Sequence, residues 1–436
     1  MARRAPRALM PLRHEAYRWL FAATTLSMLG AGMLVVAFVW QVVELRGGPN
    51  ALSAVMSASA VGMLVSTLLG GALADRIPQK RILMAVELGQ AAVIGVVALL
   101  SVTDRLDLWH LVALALVTGI AAGMYYPAYS ALLPSLIPAG DLLAANGLEG
   151  VLRPTVMQAA GPALASTLIA MSSPGLALAM AAVTATGAAL FIAGLPDTPL
   201  RRELVDSGAS PVVALLTDVR EGFVYMARTP WLRATLALAC LMTLFVMGPF
   251  EVLVPFAIKD DAGGGPREHA FVLAAFGAGG ALASLVVASL RLPRRYLTVM
   301  NLCWGLGCIP LVVFGLTSTI WLMVVAGFTI GALFHAGMVI WGTLLQRRVP
   351  PALLGRVSSL DFFVSLAFMP LSMALAGPVS ALVGLTSTFV VAGLVPVLLA
   401  VVTIVVARMP ADEIAHPLDV GEEIELDSAQ LAALEE

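Results

Sequence analysis

Twelve long runs of apolar positions, separated by short polar connections, set the pattern of this chain. A hydrocarbon layer ~30 Å thick needs roughly 20 apolar residues of helix per crossing. The runs predict membrane-spanning helices at about 18–45, 52–74, 82–102, 108–133, 142–170, 175–195, 231–258, 269–290, 296–316, 320–346, 355–382 and 386–408. The first run, to about Val43, is too long for the core of a cleaved signal peptide and reads as a retained first helix. The fold class is therefore all-α and membrane-embedded.

The polar positions orient the helices. Twenty Lys and Arg residues fall at the chain start and in one set of alternate loops, and four fall on the other side: Arg46, Arg105, Lys259 and Arg267. The positive-inside rule then places both termini in the cytoplasm, which requires an even number of crossings. Residues Val212 to Met226 carry apolar positions at helical spacing and read as a helix lying along the inner face. The stretch from Asp412 to Glu436 holds nine acids and no Lys or Arg, and reads as loosely structured. The expected division is 1–195, a first six-helix bundle; 196–230, a cytoplasmic connection; 231–410, a second bundle; and 411–436, an acidic tail.

Composition agrees: 60% of residues are hydrophobic, 12% are charged, and the mean hydropathy is +0.94. Net charge is −2, but the charges are segregated, so it says nothing about partners. Cys240, Cys303 and Cys308 lie in apolar runs and read as packing residues, not a disulfide framework. The chain carries no phosphate-binding P-loop and no Cys/His spacing for a metal, and its polar segments are too small for a catalytic domain. Enzyme activity, cofactors and nucleic-acid binding are not expected. Arginine outnumbers lysine 23 to 2, which fits a GC-rich bacterial genome.

The two halves repeat. Arg76–Lys80 matches Arg291–Arg295, Gly62 matches Gly277, Gly119 matches Gly331, Ile137-Pro138 matches Val349-Pro350, and Gly161-Pro162 matches Gly377-Pro378. Offsets of 212–216 relate all five pairs in order. Parallel repeats of six helices bind substrate between them near the midplane and rock about it. Small residues four apart, as at Gly119/Gly123 and Gly327/Gly331, let helices approach closely.

Gly71-Ala72-Leu73-Ala74-Asp75-Arg76-Ile77-Pro78-Gln79-Lys80-Arg81-Ile82-Leu83 resembles the signature between helices 2 and 3 of the major facilitator superfamily. Gly71, Leu73, Asp75, Arg76, Lys80 and Leu83 match, whereas Pro78 and Gln79 replace a glycine and an arginine. The resemblance implies two pseudo-symmetric six-helix bundles. It also implies a gating role for Gly71, Asp75, Arg76, Lys80 and Arg81, in which Asp75 caps a helix start. Segments 133–165 and 345–378 are similar to the branch of the enterobactin exporter and the macrolide and multidrug efflux proteins. Gly161-Pro162 resembles part of the antiporter signature of helix 5, although Met157, Ala165 and Ser166 stand where it has glycines.

Charges at membrane depth are costly, so each is a candidate site. Glu149 and Arg153 share a helix face four residues apart. Asp361 is related to Glu149 by the repeat, and it could pair with Arg356 or Arg153 in an inner latch, or bind protons or substrate directly. Glu251 lies between Pro249 and Pro255, which break the helix and free carbonyls beside it. With His335 it completes the proton-coupling candidates: Glu251, His335, Glu149 and Asp361. Glu87 reads as a lateral pairing residue or a cavity residue. Arg153, Tyr125, Tyr126, Phe245, Phe334 and Glu87 are the substrate-cavity candidates, with Tyr129, Phe250 and Trp341 as further aromatics. Aromatic walls suit flat apolar or cationic molecules.

The expected function is secondary export of small amphipathic molecules across a bacterial inner membrane, driven by proton antiport, with a monomeric carrier and the bilayer, substrate and protons as partners. A siderophore or lysolipid exporter, with Arg153 on the anion, is the alternative within transport. A membrane sensor acting through the acidic tail is the alternative outside it.

Overall fold

The computed structural model describes residues 7–74, 77–138, 141–196 and 211–418. Among these residues every regular element is helical. The first half comprises α1 (Glu15–Glu44), α2 (Pro49–Ala74), α3 (Gln79–Val102), α4 (Leu108–Leu136), α5 and α6 (Pro174–Ala193). The second comprises α7, α8 (Pro266–Ser289), α9 (Tyr296–Gly307, resuming at Leu311–Leu316), α10 (Ile320–Arg348), α11 (Pro351–Leu366 and Met369–Val383) and α12 (Leu385–Val406). A connecting helix, Pro211–Arg228, joins the halves, and a short helix α13, Met409–Ala415, follows α12.

Two of these helices are irregular. α5 runs Leu142–Leu152, then as a π-helix Arg153–Ala160, then Gly161–Met171. α7 runs Pro230–Gly248, turns π-helical at Pro249–Leu253, and is π-helical again at Ala257–Asp261. Prolines at 154, 249 and 255 explain the wide turns, because each removes a backbone donor. Eleven helices among the described residues are long and apolar enough to cross a membrane. α5 is not one of them, since Glu149, Arg153, Thr155 and Gln158 interrupt its apolar surface.

Packing repeats between halves. α2 lies along α4 as α8 lies along α10, and α1 packs on α6 as α7 packs on α12. α1 also crosses α5 as α7 crosses α11. At the first of these crossings Gly32 meets the Met157 carbonyl; at the second Gly248 meets the Ser372 carbonyl. Close backbone approach through small residues is the usual device where lipid supplies no hydrophobic drive. Between halves, α2 packs on α11 and α5 on α8.

The repeat corrects one expected match. Gly62 faces the Leu116 carbonyl, and the residue facing the corresponding Phe328 carbonyl is Gly279. Gly277 instead packs on Pro154 and Gln158 of α5, across the boundary between halves. Gly161 and Gly377 also differ in role. Gly161 abuts Gly32 within the first half, whereas Gly377 abuts Asn50 in the other half.

The apolar core is divided unequally. Both chain ends lie on one side, the terminal face. Towards the opposite face a single core spans both halves, from Met33, Leu52, Ile94 and Leu111 to Leu253, Leu311 and Phe389. Towards the terminal face two cores stand apart. One holds Tyr17, Leu83, Leu132 and Ile192; the other holds Trp231, Tyr296, Trp341 and Leu344.

The stretch after α12 is more ordered than its acidity predicts. Arg348 pairs with Asp412 at 2.5 Å and lies 4.6 Å over the Trp231 ring. The Glu413 carboxylate accepts from the Thr298 amide at 2.6 Å and from its hydroxyl at 3.0 Å. Glu413 thus caps the start of α9. Two acids lodged on a basic, donor-rich surface are held by pairing, so composition alone misjudged residues 412–418.

Candidate substrate and coupling site

A pocket of about 470 Å³ opens between the terminal-face halves of α4 and α5. Tyr126, Tyr129, Asn146, Glu149 and Arg153 supply its polar wall. Arg153 reaches Glu149 at 4.0 Å, and the Tyr129 hydroxyl lies against the same carboxylate. Arg153 is 46% exposed, so most of its charge remains available to the pocket. Tyr125 stacks on Tyr129 with ring centroids 6.3 Å apart but turns away, with its hydroxyl 3.4 Å from that of Thr24. Tyr126 is 57% exposed. The site can therefore offer one cation, one carboxylate and an aromatic face to an amphipathic guest.

The repeat-related acid Asp361 is bound differently. Its carboxylate accepts from Trp341 Nε1 at 2.9 Å and from the Ser365 hydroxyl at 3.2 Å. It makes no ion pair with Arg153, and the Arg356 side chain is outside the described ones, so the expected inner latch through Asp361 is replaced by a neutral-donor cage. Trp341 is correspondingly buried among Trp231 and Trp304 instead of lining a cavity.

Glu251 sits in the π-helical turn of α7, where the helix touches both α2 and α11. Among the described residues it has no hydrogen-bond or ion-pair partner. Its neighbour Phe250 packs on Phe276 at 5.2 Å, and Phe276 packs on His335 at 5.6 Å. His335 Nδ1 bonds to the Gly331 carbonyl at 2.9 Å, and its ring rests on Gly280. Phe334 is 38% exposed and Phe245 half-buried. Glu251, Phe250, Phe276 and His335 thus form one chain across α7, α8 and α10, remote from the Glu149 pocket.

Glu87 is neither cavity-lining nor paired. It is 1% exposed, its Oε1 has no partner, and its surroundings are Ser27 of α1 and Tyr125 of α4. Gln158, whose Oε1 is also unpartnered, was not singled out in the sequence. The signal available was a glutamine opposite Gly277 between two prolines and glycines.

In the gating segment Gly71 lies in α2, while Asp75 and Arg76 lie outside the described residues. Lys80 donates to the Leu195 carbonyl at 2.5 Å, at the end of α6, where a cation is favoured. Arg81 is exposed. Pro162 follows Gly161 at the start of the last stretch of α5, and Pro378 follows Gly377 inside α11.

This helix order, the repeated packing and the polar pocket between helices define a transporter of the major facilitator fold. Solved structures agree on the fold. The nucleoside transporter NupG superposes with a TM-score of 0.70 over 90% of this chain and 98% of its own, at 13% identity. The peptide transporter POT does so with a TM-score of 0.68 over 91% and 95%, at 16% identity. The chain belongs to the transmembrane secretion effector family of the major facilitator superfamily, whose pattern matches residues 6–428. Its relatives include the multidrug efflux pump Tap of Mycolicibacterium fortuitum, 28% identical over 89% of this chain and 95% of that protein. Macrolide efflux protein A of Streptococcus pyogenes is 24% identical over 88% and 94%. It is a multi-pass membrane transporter, not an enzyme.

Proposed function

We propose that this chain exports small amphipathic molecules from the cytoplasm by alternating access, coupled to proton entry. The division of the apolar core carries this reading: the halves share one core near the opposite face and keep separate cores near the terminal face. That is the form of a carrier sealed on one side and open on the other. With the termini in the cytoplasm of a bacterial inner membrane, the open side faces the cytoplasm, where an exporter loads. The 1–195 and 231–410 units would rock about the α2–α11 and α5–α8 contacts, as a monomer. Efflux relatives support drug-like cargo, and the pocket offers Tyr126, Glu149 and Arg153 to receive it.

Glu251 is the preferred proton carrier, because an unpaired acid beside the sealed core would gain access to the outside when that seal opens. His335, Glu149 and Asp361 are the alternatives. The test is flux in proteoliposomes under an imposed proton gradient, for the native chain and Glu251→Gln, with cationic dyes, macrolides, siderophores and lysolipids. Gradient-driven flux lost in the variant supports the assignment. Flux that survives moves the carrier elsewhere, and no gradient-driven flux for any compound overturns proton coupling. A siderophore or lysolipid cargo is the second reading, favoured by the half-exposed Arg153. Loss of only the anionic compounds in Arg153→Gln would decide for it.

A further inference from the structure

A second cavity lies on the outer flank of the first half. It is a groove of about 420 Å³ between α3 and α4, separate from the Glu149 pocket. Ala85, Gly89, Ile120 and Met124 make it apolar, and Arg81 closes its terminal-face end. Arg81 is the one charged residue in the lining, is exposed, and has no ion-pair partner among the described residues. The surrounding surface is the kind that meets lipid tails: Leu88 is 51% exposed, Val96 58% and Leu99 64%.

The dimensions match one leaflet. Gln90 marks the inner end of the groove. Nine helical residues separate it from Arg81, about 14 Å at ~1.5 Å per residue, or half of a ~30 Å hydrocarbon layer. Gly89 leaves the floor open, since a side chain there would meet nothing within 4 Å. A cation at headgroup level above an apolar slot of leaflet depth is complementary to a phosphate joined to an acyl chain. Basic clefts between helices on the arginine-rich side of a membrane bind acidic lipid headgroups.

We propose that this groove is a binding site for an anionic phospholipid of the terminal-face leaflet. Its phosphate sits on Arg81 and one acyl chain runs between α3 and α4 towards Gln90. The site stands independently of what the carrier exports. It also adjoins the start of α3, so the lipid would contact the segment that follows the gating signature.

The test is native mass spectrometry of the full chain from micelles holding equal phosphatidylglycerol and phosphatidylcholine, read as the ratio of the two in the first lipid retained. The native protein is expected to favour phosphatidylglycerol. Arg81→Gln should lower that ratio about fivefold, the effect of one cation near a charged membrane surface. Gly89→Leu fills the slot without meeting a neighbour and should lower retention of both lipids. An unchanged ratio in Arg81→Gln overturns the proposal, as does undiminished retention in a folded Gly89→Leu. Equal retention of both lipids, or of detergent in their place, by the native chain also overturns it. Arg81 is on the surface, so its variant remains informative if the Gly89 variant does not fold.

Discussion

The amide of Gly377 donates to the Ser53 hydroxyl at 2.8 Å, binding α11 of the second half to α2 of the first. The backbones come so close that a Cβ on Gly377 would lie 2.7 Å from Asn50 Cα. This contact belongs to the sealed side of the molecule, and any opening there has to undo it. Gly377→Leu is expected to hold the halves apart and reduce transport to near background. Ser53→Ala removes a single hydrogen bond, about 0.6 kcal/mol within a membrane, and should leave most transport intact. Flux assays check both, together with labelling of Asn50→Cys by an impermeant thiol reagent, which should rise only in the leucine variant. Normal flux in Gly377→Leu would show that the seal lies elsewhere.

Asp361 and Trp341 make the strongest polar link inside the second half's terminal-face core. Asp361→Asn keeps an acceptor for the indole N–H and should retain both fold and most flux. Asp361→Leu leaves that buried donor unpaired, a loss of about 1–3 kcal/mol. Thermal melting of the purified protein separates the two variants. If Asp361→Asn abolishes gradient-driven flux while melting normally, the acid is a proton carrier, not a structural acceptor.

Residues after α12 divide at the last described position. Asp412 and Glu413 are engaged with Arg348 and Thr298, so removing residues 412–436 should destabilise the second half. Glu413→Ala alone removes a helix cap, about 1 kcal/mol. Removing only 419–436 should leave melting and transport unchanged. A chain that loses its cellular effect on the shorter deletion, yet still carries substrate in vesicles, would support signalling through the tail.

The architecture was legible because lipid enforces it. A crossing needs an apolar run of fixed length, and arginines sort by side, so helix number and order follow from the sequence. The repeat was legible too, but its register was not: Gly277 stands two residues from Gly279, and only packing tells which faces Phe328. Partners of buried acids were the least legible. Asp361 found an indole and a serine, where charge alone suggested an arginine. Glu87 found no cation at all, because helices from distant parts of the chain decide what surrounds it.

Gly280 and His335 reverse an arrangement present in the first half. There, Gly123 on α4 makes room for Met63 and Ser66 on α2. The repeat places His335 where Gly123 stands and Gly280 where Met63 stands, so the small residue has moved to the other helix. A Cβ on Gly280 would come within 2.5 Å of His335 Nδ1. Gly280→Met alone should therefore overpack the α8–α10 crossing and destabilise by about 1–3 kcal/mol. The pair Gly280→Met with His335→Gly copies the first half and is expected to recover much of that loss, which a double-mutant cycle on melting would measure. With the crossing restored and the imidazole gone, flux reports on chemistry alone. Retained gradient-driven flux would make His335 a packing residue, and its loss in a well-folded double variant would place the imidazole in the proton path beside Phe276 and Glu251.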